Sequence, residues 1–256
     1  MGNQTKKHAG DSPGGHWPKD GAQSPLSPIE RSRTTADEVQ ERLILAIARG
    51  DKVAGERITE AEIAAALNVS RVPAREAMQK LLLRGILVGG AQRGLRVADY
   101  GDQRLTELFE LRFAIEKIIF QHVMRSRAVR TALIADLVVI VARMRELSGS
   151  GDPILLSSVD MDFHRAVARH SGNVLAAQIW EGLAQHIFIV FCRHWSSAAD
   201  CTGEVRLHEG LVEFVRTGSP DEIDDVLSKH FSEPSTRTAA VVPAPARRAS
   251  RKRSVA

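Results

Sequence analysis

Cysteine, aromatic residues and long apolar runs are all scarce in this chain. Two cysteines, Cys192 and Cys201, among 256 residues cannot build a disulfide framework. Aromatics make up 5% of the chain, so Ala, Leu, Val and Ile must supply the core, a composition that favours helices. The longest apolar run, around Leu137 to Ala142, is too short to span a bilayer, and MGNQTKKHAGDSPGGHWPKDG at the start lacks the apolar centre of a signal peptide. A protein of the cytoplasm with no membrane partner is expected. No alternating strand pattern occurs after Tyr100, and no H-E-x-x-H or paired E-x-x-H motif occurs anywhere. The charge is +4, which permits nucleic-acid binding without requiring it.

What is present is concentrated in Thr59 to Val97. Thr59 followed by Glu62 forms a capping box, so a short helix opens near Glu60, with Ile63, Ala64 and Leu67 on its apolar face. Asn68 suits the left-handed residue that ends it. Ser70 caps a second helix, from about Arg71 to Arg84, with Pro73 in its first turn and Gly85 as its stop. Two short helices joined by a tight turn make a helix-turn-helix. Ile86 to Val88 and Leu95 to Val97 read as two small strands around a glycine-containing tip, a wing. Thr35 with Glu38 marks an earlier helix reaching Arg49, with Val39, Leu43, Ile44 and Ile47 facing inward.

Arg71 and Arg75 lie four residues apart and project from one face at the start of the second helix. The beginning of a recognition helix is what reaches base edges, and arginine can grip guanine O6 and N7 with two hydrogen bonds. The Ser70 hydroxyl suits a phosphate, and Arg93 and Arg96 on the wing are placed for backbone or minor groove.

These residues resemble the DNA-binding domain of GntR-family transcription regulators. That pattern is a glycine-rich entry, an E-x-x-L-A-like helix, V-S-R-x-P-x-R-E-A-L and a glycine wing. It is matched here by Val69, Ser70, Arg71, Pro73, Arg75, Glu76, Ala77, Gly85 and Gly94. The resemblance implies that Arg71 and Arg75 read the operator and that Gly94 approaches the minor groove. Ala61 stands where many relatives with this type of C-terminal domain carry a further DNA-contacting arginine.

From Gln103 onward six helices are expected: to about Arg125, Ala128 to Leu147, Pro153 to His170, Val174 to Trp195, Gly203 to Arg216 and Pro220 to Phe231. The fold class is therefore mainly α, a winged helix-turn-helix over 35–99 followed by an all-helical bundle over 103–232. Flanking segments 1–34 and 233–256, poor in aliphatics, are expected to be disordered, the second one basic.

Within the bundle, Asp160 and His164 share a helix face, and His208 and His230 fall in later helices. One carboxylate and three imidazoles are a standard metal shell, but on spacing alone the reading as packed or surface histidines wins, since a helix histidine is more often one of those than a ligand. His170, His186 and His194 stand outside this set. Arg112 and Glu116 can pair along one helix. The region from Leu105 to Phe231 resembles the FCD ligand-binding domain. The resemblance rests on Arg112 with Glu116, D-x-x-F-H over Asp160 to His164, the Gly172-Asn173 turn, His208 and His230. It implies a divalent metal on Asp160, His164, His208 and His230: zinc first, with manganese, iron or nickel as alternatives. It further implies a small carboxylate effector at the open metal positions, with Arg112 as the best candidate to fork onto it; for Asn173 a contact in the site and a simple turn role are equally open. The expectation is a homodimeric, metabolite-responsive regulator, a repressor as most of the family, that binds a palindromic duplex operator and is not an enzyme. A metal-dependent helical enzyme and a non-specific architectural DNA-binding protein are the alternatives.

Overall fold

The computed structural model describes residues 34–90, 94–195 and 201–238. Helix α1 (Thr35–Arg49) already contains Thr35, so the expected cap residue is the first helical one. Gly50, at φ 83°, turns the chain out of α1. The short helix α2 (Glu60–Leu67) begins as the capping pattern predicts: the Thr59 hydroxyl accepts a hydrogen bond from the Glu62 amide. Asn68 ends it at φ 52°, ψ 46°. The Glu62 carboxylate does not complete the box but pairs with Lys52. Helix α3 (Arg71–Leu83) follows, and Gly85, at φ 73°, releases the chain after it.

The wing has one strand more than the sequence showed. Strands β2 (Leu87–Gly90) and β3 (Gly94–Val97) form the expected hairpin, and β1 (Arg57–Ile58) adds to its free edge in the order β1-β3-β2, all antiparallel. Two residues are too few for a periodic signal. Ile58 is nevertheless anchored, being buried with Val39, Leu43, Ile47, Ala74, Leu81, Ile86 and Leu87 in one core.

The second half is a helical bundle: α4 (Asp102–Met124), α5 (Arg127–Leu147), α6 (Pro153–His170), α7 (Val174–Trp195), α8 (Thr202–Thr217) and α9 (Ile223–Thr238). Local chemistry sets the starts. Asp152 accepts from the Ile154 and Leu155 amides while Pro153 takes the first helical position. Ser219 and Glu222 make a reciprocal capping box around a 3-10 turn, Pro220–Glu222, so α9 proper begins at Ile223, not at Pro220. It continues to Thr238, past the expected end near Phe231. Helix α7 is long and apolar enough to cross a membrane by length and composition. It instead packs against α1, α4 and α6, with Trp180, Ala184, Ile187 and Phe191 buried.

The winged domain is seated on the bundle by side chains that hold helix-end carbonyls. Arg104 of α4 donates to Gly85 O at 2.6 Å, and Arg193 of α7 donates to Ile47 O at 3.1 Å. Cations there also meet the negative ends of α3 and α1. Between them the Tyr100 hydroxyl lies 2.8 Å from His186 Nδ1, and His186 Nε2 lies 2.8 Å from Arg84 O. A carbonyl only accepts, so Nε2 carries the proton and the Tyr100 hydroxyl donates to Nδ1. Burial fits this assignment, lowering the His186 pKa and raising that of the Tyr100 phenol to about 12. Tyr100→Phe leaves the Nδ1 lone pair without its donor, so unfolding free energy should fall by about 1–3 kcal/mol in urea titrations. No loss would mean that water already reaches this joint.

Candidate nucleic-acid interface and metal centre

The residues expected to read DNA lie at the start of α3. Ser70 is exposed, and its hydroxyl makes no capping bond to the helix, contrary to the expected cap, so it is left for another acceptor or donor. Arg71 is exposed and makes no hydrogen bond or ion pair among the described residues. Arg75 is 61% exposed yet engaged: its Nε and Nη2 donate to the two carboxylate oxygens of Glu60, each at 2.9 Å. Sequence reading missed that partner, because Glu60 precedes Arg75 by 15 positions and belongs to another helix.

On the wing, Gly94 sits at φ 72°, and Gly89 at φ 119° packs so closely that a Cβ there would fall on the Gly94 carbonyl oxygen. Both positions demand glycine. Arg96 donates to Gly55 O at 2.8 Å, which pins it to the loop before β1. Arg57, unmarked by any motif, pairs in register with Arg96, and its guanidinium lies over Gly94. Arg93 lies outside the described residues.

The four proposed metal ligands come together from three helices: Asp160 and His164 on α6, His208 on α8 and His230 on α9. All are buried, with 5% exposure or less. One ligand nitrogen from each histidine can be chosen so that the three lie within 4.8 Å of one another. His208 Nε2 is 2.9 Å from Asp160 Oδ1, and His208 Nδ1 is 2.7 Å from Glu204 O. That second contact holds the ring as an outer carbonyl holds a ligating imidazole.

A second layer stands against His164. Its Nδ1 is 2.8 Å from Glu116 Oε2, and Arg112 Nη2 donates to its Nε2 at 2.8 Å. Arg112 Nε also donates to Glu116 Oε1 at 2.8 Å, and Trp180 Nε1 donates to the same oxygen at 3.0 Å. The guanidinium is sandwiched by the Phe191 and Phe231 rings, 5.3 and 4.6 Å from their centroids. The intrahelical Arg112–Glu116 pair is therefore real, and it sits inside the site. Asn173 is elsewhere: its Oδ1 accepts from the Ala176 amide at the start of α7, and its Nδ2 lies 3.3 Å from His122. Both polar atoms of its amide are engaged at that turn, so the effector contact expected of Asn173 finds no support in its hydrogen bonds. Asp162 pairs with Arg165 outside the cluster, and His170 with Asp136 at the surface.

The protonation states of Asp160, His164 and His230 suit a cation. Burial alone would raise the Glu116 pKa, but His164 and the permanently charged Arg112 bring it down to about 2. Burial opposes Asp160 ionisation as well, and the His208 contact outweighs it. His230 is pushed well below the ordinary histidine range by burial first and then by the neighbouring His208, His164 and Arg112. Burial lowers His164 too, whereas at His208 burial is outweighed by the Asp160 contact and the pKa is raised. Ionised Asp160 with neutral His164 and His230 is the ligand state, and His208 reaches it by giving up the Nε2 proton it shares with Asp160. Asp160 Oδ2 and His230 Nδ1 are buried without a hydrogen-bond partner. Two such orphans in one cluster of imidazoles and a carboxylate are costly unless something binds them, so the donor set fits a divalent metal. Cys192, by contrast, is buried with its thiol raised to about 11, which makes a reactive role unsuitable.

A winged helix-turn-helix with an exposed arginine face, joined to a helical bundle that buries a cluster of histidines and carboxylates, is the architecture of a two-part DNA-binding regulator. Residues 35–97 match the family described as "Bacterial regulatory proteins, gntR family", and residues 107–233 match the FCD domain. The chain belongs to the GntR family of transcription regulators, in its FCD-containing branch. It is 27% identical over 204 residues to a probable D-xylose utilization operon transcriptional repressor of Paenarthrobacter nicotinovorans, covering 78% of this chain and 86% of that protein. It is 26% identical over 129 residues to the gluconate operon transcriptional repressor of Bacillus licheniformis, covering 50% of this chain and 52% of that one. Among solved structures, E. coli McbR/YncC shares the fold with a TM-score of 0.69 at 15% identity, over 82% of this chain and 99% of that one.

Proposed function

We propose that this protein represses transcription as a cytoplasmic homodimer whose grip on a palindromic operator is controlled by a small organic acid in the bundle. The observation that carries the reading is the buried Asp160–His164–His208–His230 cluster, with two unpartnered polar atoms, Asp160 Oδ2 and His230 Nδ1, beside a permanently charged arginine. Each subunit lays the start of α3 in the major groove of one half-site, Arg71 and Arg75 meeting base edges and Ser70 a phosphate. The wing, through Gly94 and Arg96, follows the adjacent backbone or minor groove.

In the bundle, Asp160, His164, His208 and His230 would hold the metal, zinc first. When bound, it supplies a Lewis-acidic anchor for a carboxylate. Arg112 sets the polarity of the pocket and can fork onto the same acid, exchanging part of its hold on Glu116 and His164. The name of the gluconate operon repressor of Bacillus licheniformis supports sugar-derived acids as the first candidates. We read the pocket as sensory and not catalytic, because Glu116, the nearest spare carboxylate, is tied to Arg112 and Trp180.

Helix α7 joins the two ends of the device. Trp180 touches Glu116 in the pocket, and His186 and Arg193 on the same helix hold the ends of α3 and α1. An acid that rearranges Arg112 and Glu116 therefore acts on the helix that seats the reading head. It shifts the equilibrium only by its differential affinity for the two arrangements. The DNA half is tested by selecting sites from randomised duplexes and repeating the gel shifts with Arg71→Ala. Discrimination should fall by about 1–3 kcal/mol at one base position per half-site. Unchanged discrimination at every position would contradict the assignment of Arg71.

A further inference from the structure

Glu60 lies at the first position of α2 with its carboxylate clamped on Arg75. The clamp is side-on: the Nε and Nη2 donors face the two carboxylate oxygens, each at 2.9 Å. A guanidinium has five N–H donors in a rigid plane. Once Nε and one Nη2 proton are taken, the end-on edge, Nη1 with the second Nη2 proton, keeps its donors. That edge has the spacing needed for guanine O6 and N7. A free arginine on an exposed helix face samples many rotamers, whereas this one is held from the neighbouring helix of the same motif. Arg71 has no equivalent clamp among the described residues. The pair is exposed, with Glu60 34% and Arg75 61% accessible, so it adds little to stability. A role in positioning explains why a bidentate carboxylate stands here, on the reading face, where a negative charge otherwise repels DNA.

We propose that Glu60 is a specificity-determining positioning residue. By occupying the side-on edge of Arg75, it presents the end-on edge to one guanine of each half-site and denies Arg75 to phosphates and to other bases. This rests on the reading of Arg75 as an operator contact. The two arginines would thus differ: Arg75 reads from a fixed orientation, and Arg71 from an adaptable one.

The test uses the full chain and the duplex selected from a randomised library by the wild-type protein. Competition gel shifts then score every single-base change for wild type, Glu60→Gln, Arg75→Ala and the double variant. Glu62→Gln serves as the control, since it removes a carboxylate from the same helix start without touching Arg75.

Arg75→Ala should lose about 5- to 150-fold of discrimination at one guanine position. Glu60→Gln should lose discrimination at that same position and no other, while binding to the selected site is retained or tightened. The double variant should be no less selective than Arg75→Ala, and Glu62→Gln should leave every position as in wild type. If Arg75→Ala flattens one position while Glu60→Gln flattens none, positioning by Glu60 is overturned and the Arg75 contact stands. If Arg75→Ala changes no position, the readout by Arg75 falls, and the proposal with it. A uniform loss with Glu60→Gln across all positions would make Glu60 a structural residue of α2 and would also overturn the proposal. Circular dichroism of each variant separates that result from unfolding.

Discussion

Arg112→Ala should lower the unfolding free energy by about 3–5 kcal/mol, the usual cost of breaking a buried ion pair from one side. Arg112 and Glu116 are 1% and 2% exposed. Glu116 would keep only the Trp180 indole and the His164 contact, and neither replaces a permanently charged guanidinium. The loss should appear as a lower urea midpoint with an unchanged slope. Replacing both members, Arg112→Met with Glu116→Leu, should recover much of the loss, because two apolar side chains leave no uncompensated charge. A single-variant loss under about 1 kcal/mol, typical of exposed pairs, would mean that solvent reaches Glu116. The fold and the proposed effector site thus share one pair of side chains.

His208→Ala should abolish stabilisation by metal. At a free zinc concentration 100 times the dissociation constant, the wild-type protein should gain about 2.7 kcal/mol over chelator-treated protein. For a chain of this size that is a rise in melting temperature of roughly 5–10 °C. Asp160 Oδ2 and His230 Nδ1 have no hydrogen-bond partner, so the fold bears their desolvation until a cation relieves it. In His208→Ala one ligand is gone and Asp160 loses its imidazole neighbour, so zinc should move the melt by less than a degree or two. Wild-type protein whose melt ignores both chelator and zinc would leave the cluster as a packed polar network only.

The parts of this structure that were legible in the sequence are those written in local chemistry. Thr59, Asn68 and Gly85 punctuate the helix-turn-helix within a few residues of where they act, and each took the conformation its type favours. Asp152-Pro153 opens α6 for the same reason. The two-residue strand β1 was not legible, because its existence depends on the edge of a hairpin some 40 positions away, where Arg57 meets Arg96. Ser70 sits at the cap position, but its side chain does not cap, a detail that rotamer choice decides.

The site divides along the same line. Helical spacing put Asp160 and His164 on one face. Only the tertiary fold brings His208 and His230 to them, and a resemblance stood in for that information. It also suggested Asn173, whose amide the structure commits to the start of α7 and to His122. Glu60, Trp180, Tyr100 and His186 carried no motif, since their roles come from partners 15 to 102 positions distant in the chain. Arg93 and the flanking segments 1–33 and 239–256 lie outside the described residues.

The central claim is that operator grip depends on an acid held in the histidine pocket. It is tested most directly by fluorescence anisotropy of the selected duplex bound to zinc-loaded protein, titrated with a panel of sugar-derived, hydroxy and aromatic carboxylates. The account predicts that one chemical class changes operator affinity by at least about 5-fold, the lower range of allosteric coupling. The same class should have no effect on chelator-treated protein or on His208→Ala, both of which still bind the duplex. An acid that shifts DNA affinity equally well without metal would contradict the account, and so would operator binding that ignores metal and every acid in the panel.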